Sequence, residues 1–121
     1  MNPYLIPADD NAEERWTGER CFITERLNDA RVPDLSFATA RVEPATTTEL
    51  HRLSVDEWYL VRSGQGRMEV GNQAPFDVAG GDTVVIPAGT PQRITNTGSD
   101  DLIFDCVCIP RFSVDCYTAL E

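Results

Sequence analysis

Three polar side chains have types and spacings that suit chemistry: His51, the single histidine of the chain, Glu57 and Gln92. Imidazoles and carboxylates are the groups most used to move protons near neutral pH. A carboxamide adds donors and an acceptor that can orient a ligand. Positions 51, 53, 57, 59 and 61 share parity, so on extended backbone they face one side. Positions 92, 94 and 96 do the same on a later segment. With both faces turned into one barrel, His51, Glu57 and Gln92 converge, and Tyr59, Val61, Met68 and Ile94 line the wall.

The run Leu102-Ile-Phe-Asp-Cys-Val-Cys-Ile109 puts Leu102, Phe104, Cys106 and Cys108 on one side and Asp105 on the other, where a charge belongs in solvent. Two readings of the thiols stay open: groups beside a ligand, or small core hydrophobes, as buried cysteines commonly are. No basic neighbour in sequence lowers their pKa. The expected ligand contacts are Tyr59, Met68, Ile94, Phe104 and Cys106. Arg52 and Arg93 have outward parity. Arg41 has no anchor for its side and is a candidate to meet an anion at the mouth. Trp58 also points outward and marks a face for the N-terminal arm or a second subunit.

The elements that must position these groups read as short strands. Cys21–Leu27, Leu35–Val42, Leu50–Arg62, Arg67–Val70, Phe76–Val78, Thr83–Ile86, Gln92–Asn96 and Leu102–Ile109 are rich in β-formers or alternate polar with apolar. Asn28-Asp29, Ser63-Gly64-Gln65-Gly66, Gly71-Asn72, Gly80-Gly81-Asp82, Pro87-Ala88-Gly89 and Thr97-Gly98-Ser99-Asp100 are turn signals between them. Close strand spacing predicts a sandwich or barrel. Residues 1–20 read as a polar arm with little regular structure, 21–112 as the barrel, and 113–121 as a tail with a short helix at most.

The 121 residues suit one domain with one core. A formal charge of −10 repels phosphate backbones and anionic lipid, so nucleic acid and membrane surfaces are not expected partners. Residues 1–20 hold no apolar run like a signal peptide, and no stretch is long enough to span a bilayer. The expectation is a soluble cytoplasmic protein, with its four cysteines reduced.

Two segments resemble the paired motifs of the cupin superfamily. The first motif, G-x5-H-x-H-x3-E-x6-G, is matched by His51, Glu57 and Gly64, with Ala45 at the leading glycine and Leu53 at the second histidine. The second, G-x5-P-x-G-x2-H-x3-N, is matched by Gly81, Pro87, Gly89 and Asn96, with Gln92 at the histidine. The resemblance implies an all-β cupin-type jelly-roll barrel (a double-stranded β-helix) in a single domain. It also implies a site resembling three imidazoles and a carboxylate around a divalent ion. Here that set is reduced to His51, Glu57 and Gln92, which implies Fe, Mn, Ni or Zn weakly bound or absent, since an amide is a weaker donor than imidazole. Without metal, the three residues form a polar cluster among apolar walls.

The fold does not choose a function. The leading expectation is a small-molecule-binding cupin whose polar cluster either holds a metal or does without one. A metal-dependent enzyme of oxygenase, isomerase or cyclase type is the alternative, and a purely structural or partner-binding barrel is the third. A homodimer is expected from the resemblance and the prevalence of two-fold assemblies.

Overall fold

The computed structural model describes residues 2–9 and 12–121; Met1, Asp10 and Asn11 of the arm lie outside the described residues. Two antiparallel sheets face each other. Their strands are β1 (Arg15–Trp16), β2 (Phe22–Leu27), β3 (Ser36–Val42), β4 (His51–Leu53), β5 (Asp56–Ser63), β6 (Gln65–Val70), β7 (Phe76–Ala79), β8 (Thr83–Ile86), β9 (Gln92–Asn96), β10 (Leu102–Ile109) and β11 (Tyr117–Ala119). One sheet runs β1-β2-β3-β10-β5-β8 and the other β11-β4-β9-β6-β7. This is the expected jelly roll. Among the described residues no helix is long and apolar enough to cross a membrane.

The segment expected as one strand from Leu50 to Arg62 is two, in different sheets. The chain leaves β4 after Leu53, where Gly89 N–H donates to the Leu53 carbonyl (2.7 Å) and Ser54 N–H to the Cys116 carbonyl (2.9 Å), and re-enters as β5. Inward parity survives the crossing: His51, Leu53, Glu57, Tyr59 and Val61 are all buried. Alternation is a property of extended backbone and does not require one sheet.

The motif glycines and their stand-in explain the turns. Gly64 has φ +90°, and a Cβ there would lie 2.7 Å from the Asp101 carbonyl oxygen, so only glycine lets these chains approach. Ala45 adopts φ +59°, the left-handed region that disfavours a Cβ. The motif's glycine at that place therefore has a backbone reason, and alanine bears the strain. Asn96 is a clamp: its Nδ2 donates to the carbonyls of Val42 (2.9 Å) and Asp100 (2.8 Å), and its Oδ1 accepts from Gly98 N–H (2.9 Å).

The main core holds Val42, Met68, Ile86, Ile94 and Leu102, each with almost no exposed surface. A second cluster packs Leu53, Cys108 and Cys116 against Val55, Phe112 and Tyr117.

Both chain ends add a strand to the expected arm and tail. The arm forms β1, pairing Arg15 with Ile23 and Trp16 with Phe22, and Trp16 meets Phe22 edge-on (centroids 5.0 Å apart). After a single 3-10 turn at Val114–Cys116, the tail continues as a strand: β11 pairs Tyr117 with Leu53 and Ala119 with His51. The open edge of β4 offers backbone partners that a polar tail satisfies better by pairing than by coiling alone.

Candidate functional site

The candidate cluster is built from two cross-strand pairs, one per sheet. Glu57 on β5 sits opposite Cys108 on β10, and His51 on β4 sits opposite Gln92 on β9. Because the sheets face each other, one carboxyl, one thiol, one imidazole and one carboxamide are directed into the same interior.

His51 is buried. Its Nδ1 lies 2.8 Å from the Glu49 carbonyl oxygen. A carbonyl only accepts, so Nδ1 carries the proton and Nε2 keeps its lone pair. The ring stacks on Tyr117 (4.8 Å, 14° between planes), whose hydroxyl donates to Glu49 Oε1 (2.5 Å). Burial lowers the imidazole pKa, partly opposed by the bond to Glu49; the ring is neutral at physiological pH.

Glu57 is 7% exposed. Burial pushes its carboxyl up to about 8. The Cys108 thiol approaches Oε2 at 3.8 Å, while Oε1 has no partner. Gln92 stands near enough to favour the ionised carboxylate, yet without hydrogen-bond geometry: neither atom of its fully buried amide is bonded. Unmatched buried polar atoms cost about 1–3 kcal/mol each. Three together mark the one stretch of the interior, among the described residues, whose polar side chains the protein does not itself satisfy.

Beside them lies a cavity of about 120 Å³, walled among others by His51, Glu57, Tyr59, Phe104, Cys106 and Cys108. Tyr59 and Phe104 stack (4.4 Å). Met68 and Ile94, expected on this wall, instead belong to the packed core with no exposed surface. Parity turned them inward, but their height along the barrel puts them below the cavity. Gln92 is buried behind the wall and reaches the site through Glu57. The thiols are neutral: burial pushes Cys21 up to about 12 and holds Cys106 well above its ordinary value. They are therefore not thiolate nucleophiles at neutral pH.

Arg41 does not enter the mouth. It faces outward, bound to Glu14 (2.7 Å) and Asp101 (3.2 Å) and lying over the Phe22 ring. Arg52 is exposed, and Arg93 pairs with Glu69 at 2.7 Å. Trp58 is 40% exposed on the outer face beside Leu60 and Val85; β1, at the far end of the sheet order, does not pair near it.

Sequence reasoning missed the arm's contribution. Arg15, Thr17, Glu19, Cys21, Ile23 and Glu25 all line the cavity. They are alternate residues, so the signal was an alternation running from the arm into β2. Glu19 is the consequential one: burial, then the charge of Glu49, pushes its carboxyl up to about 7. Tyr117 was missed because the tail was not expected to pair.

The family model Cupin_2, described as a cupin domain, matches residues 38–110. An uncharacterised protein of Methanocaldococcus jannaschii, MJ1618, is 36% identical over 87 residues, covering 71% of this chain and 69% of that one. Oxalate decarboxylase from Bacillus subtilis superposes with TM-score 0.80 at 21% identity, over 93% of this chain and 31% of that chain. The Lactobacillus farciminis oxalate decarboxylase formate complex gives 0.76 at 24%, over 92% and 34%. The chain thus spans about a third of the length of these structures, and the likeness concerns the fold.

Bacillus subtilis oxalate decarboxylase has Mn(II) centres. The residues here fit a resident divalent ion poorly. Buried, apolar Leu53 stands at the second donor position. A cation could take Glu57 Oε1 and Gln92 Oε1 but would leave the Gln92 Nε2 donor unmatched. Among the described residues, no three of His, Cys, Asp and Glu gather as a metal cage.

Proposed function

From the premise that the chain belongs to the cupin family, we propose that it is a small-molecule-binding cupin whose ligand completes the bonding of His51 and Glu57, with Gln92 behind Glu57, without a resident metal. The carrying observation is the unmatched Glu57 Oε1, backed by the unmatched amide of Gln92, beside a partly open cavity with mostly apolar walls. That is the general form of a ligand site: apolar surface for affinity and a few polar groups for orientation.

Cavity size limits the ligand. An apolar cavity of about 150 Å³ holds a benzene, so about 120 Å³ admits a molecule of roughly six heavy atoms. His51 Nε2 accepts a hydrogen bond, and Glu57 donates one when protonated or accepts one when ionised. Tyr59, Phe104 and Cys106 supply wall contact. The free thiols support a reducing, cytoplasmic setting. The exposed Trp58, Leu60 and Val85 on one outer face support a homodimer.

Metal analysis combined with thermal shift tests the reading. Protein purified without chelator should carry no stoichiometric Fe, Mn, Ni or Zn, and a screen of molecules of this size should raise Tm in the wild type and less in Glu57→Ala. Stoichiometric metal that disappears in Glu57→Ala would overturn the proposal in favour of the metal-dependent enzyme.

A further inference from the structure

On the reading that the cavity is a ligand site, we propose that it selects a small organic cation, a primary amine or amino alcohol, over an anion or neutral molecule of the same size.

The acidic and basic groups around the cavity are unequal in number: three carboxyls, Glu19, Glu57 and the exposed Glu25, line it, against one guanidinium, the exposed Arg15. The other nearby arginines are engaged elsewhere. Arg41 is bound by Glu14 and Asp101, and Arg20 by Glu121 and the Thr47 and Thr48 carbonyls. Burying an anion without a counter-charge is costly, and the one group that could supply it inside, His51, resists protonation because it is buried. A cation has two buried or half-buried carboxyls to meet it.

The acidic groups alone would not make a site; the unmatched Glu57 Oε1 provides the second observation. It is more than nine-tenths buried and belongs to the cavity wall. An ammonium N–H bonded to Glu57 Oε1 makes a charge-assisted hydrogen bond where none now exists. A hydroxyl on the same molecule would donate to His51 Nε2, which also borders the cavity, so an amino alcohol satisfies both groups. The rings of Phe37, Tyr59, Phe104 and Phe112 also belong to the wall, and aromatic faces attract cations. The raised carboxyl pKa values agree with this picture: both groups lack the positive partner that such a ligand would bring.

Calorimetric titration with ethanolamine, ethylene glycol and glycolate, probes of nearly equal size and differing charge, tests the inference. Millimolar affinities are expected for so few atoms. Ethanolamine should bind at least about tenfold more tightly than either other probe. The shift of the sole histidine, followed by NMR, reports whether binding occurs in the cavity. Glu57→Gln and Glu19→Gln should each weaken ethanolamine and leave ethylene glycol unchanged; if the first variant does not fold, the second carries the comparison. Preferential binding of glycolate or ethylene glycol, with the His51 signal shifting, overturns the cation inference and leaves the ligand site standing. Failure of all three probes to bind or to move His51 overturns both.

Discussion

Gln92 and Asn96 stand on the same face of β9, both carboxamides and both without exposed surface, yet their surroundings are opposite. Asn96 uses three hydrogen bonds to tie the turn after β9 to the end of β3. Gln92 makes none. Between them sits Ile94, packed in the core. Over the length of one short strand the interior changes from a region whose polar groups are all matched to one whose polar groups wait for a partner. The first holds the barrel together; the second sits beside the cavity. On the proposed ligand-site reading, stability and binding fall at different heights of the same barrel, and the same residue type serves either according to what faces it.

The largest expected effect comes from pH, because the cavity end alone buries unpaired carboxyls. Glu19 and Glu57 have folded-state values of about 7 and about 8, above the 4.5 of an unfolded carboxyl. The folded state therefore holds these protons more tightly. Their contribution is full below about pH 4.5 and is lost as pH rises through 7 and 8, on the order of a few kcal/mol in total. Urea unfolding from pH 5 to 9 should show falling stability, with a flatter profile in Glu57→Gln; an unchanged slope in that variant would show that Glu57 is not the titrating group. The surface carboxylates act in the opposite sense and at lower pH: Asp29, held at about 2 by its hydrogen bonds to Arg31, loses its contribution only as pH falls below about 4.

Asn96→Ala should destabilise by roughly 2–4 kcal/mol, since three bonds vanish and buried carbonyls lose their donor. Gln92→Leu removes an unmatched amide and should raise the stability of the ligand-free protein by about 1–2 kcal/mol. Denaturant midpoints for the two variants measure the contrast directly. Equal losses would mean that Gln92 has internal partners and that the two ends of β9 do not differ as described. The smallest effect belongs to the turn at Ala45, whose N–H donates to the Asn96 carbonyl (3.2 Å): Ala45→Gly relieves the positive φ and should stabilise by about 0.5–1 kcal/mol after glycine's own entropy cost.

Much of the barrel was legible because its signals are local. Gly64, Gly81, Pro87 and Gly89 mark turns, and the strands at Thr83–Ile86, Gln92–Asn96 and Leu102–Ile109 have the bounds their composition predicted. The site was legible only in part. Glu57, Tyr59, Phe104 and Cys106 face the cavity, but Glu19 and Tyr117 arrive from segments that looked unstructured. The strands of the arm and tail form by pairing with edges at β2 and β4, with Glu19 in the turn between β1 and β2; the arm's alternation is a local signal, but neither segment announces its partner.

Parity belongs to the sequence: a two-residue period decides which side chains turn inward, and it did so for His51, Glu57, Tyr59, Met68, Gln92 and Ile94 alike. Height along the barrel belongs to the tertiary structure. Strand register between residues far apart in the chain, such as Met68 opposite Ile94 and Glu57 opposite Cys108, decides which inward residues fill the core and which border the cavity. A period of two carries no information about distant partners, so only the assembled sheets could separate the packed end from the open one.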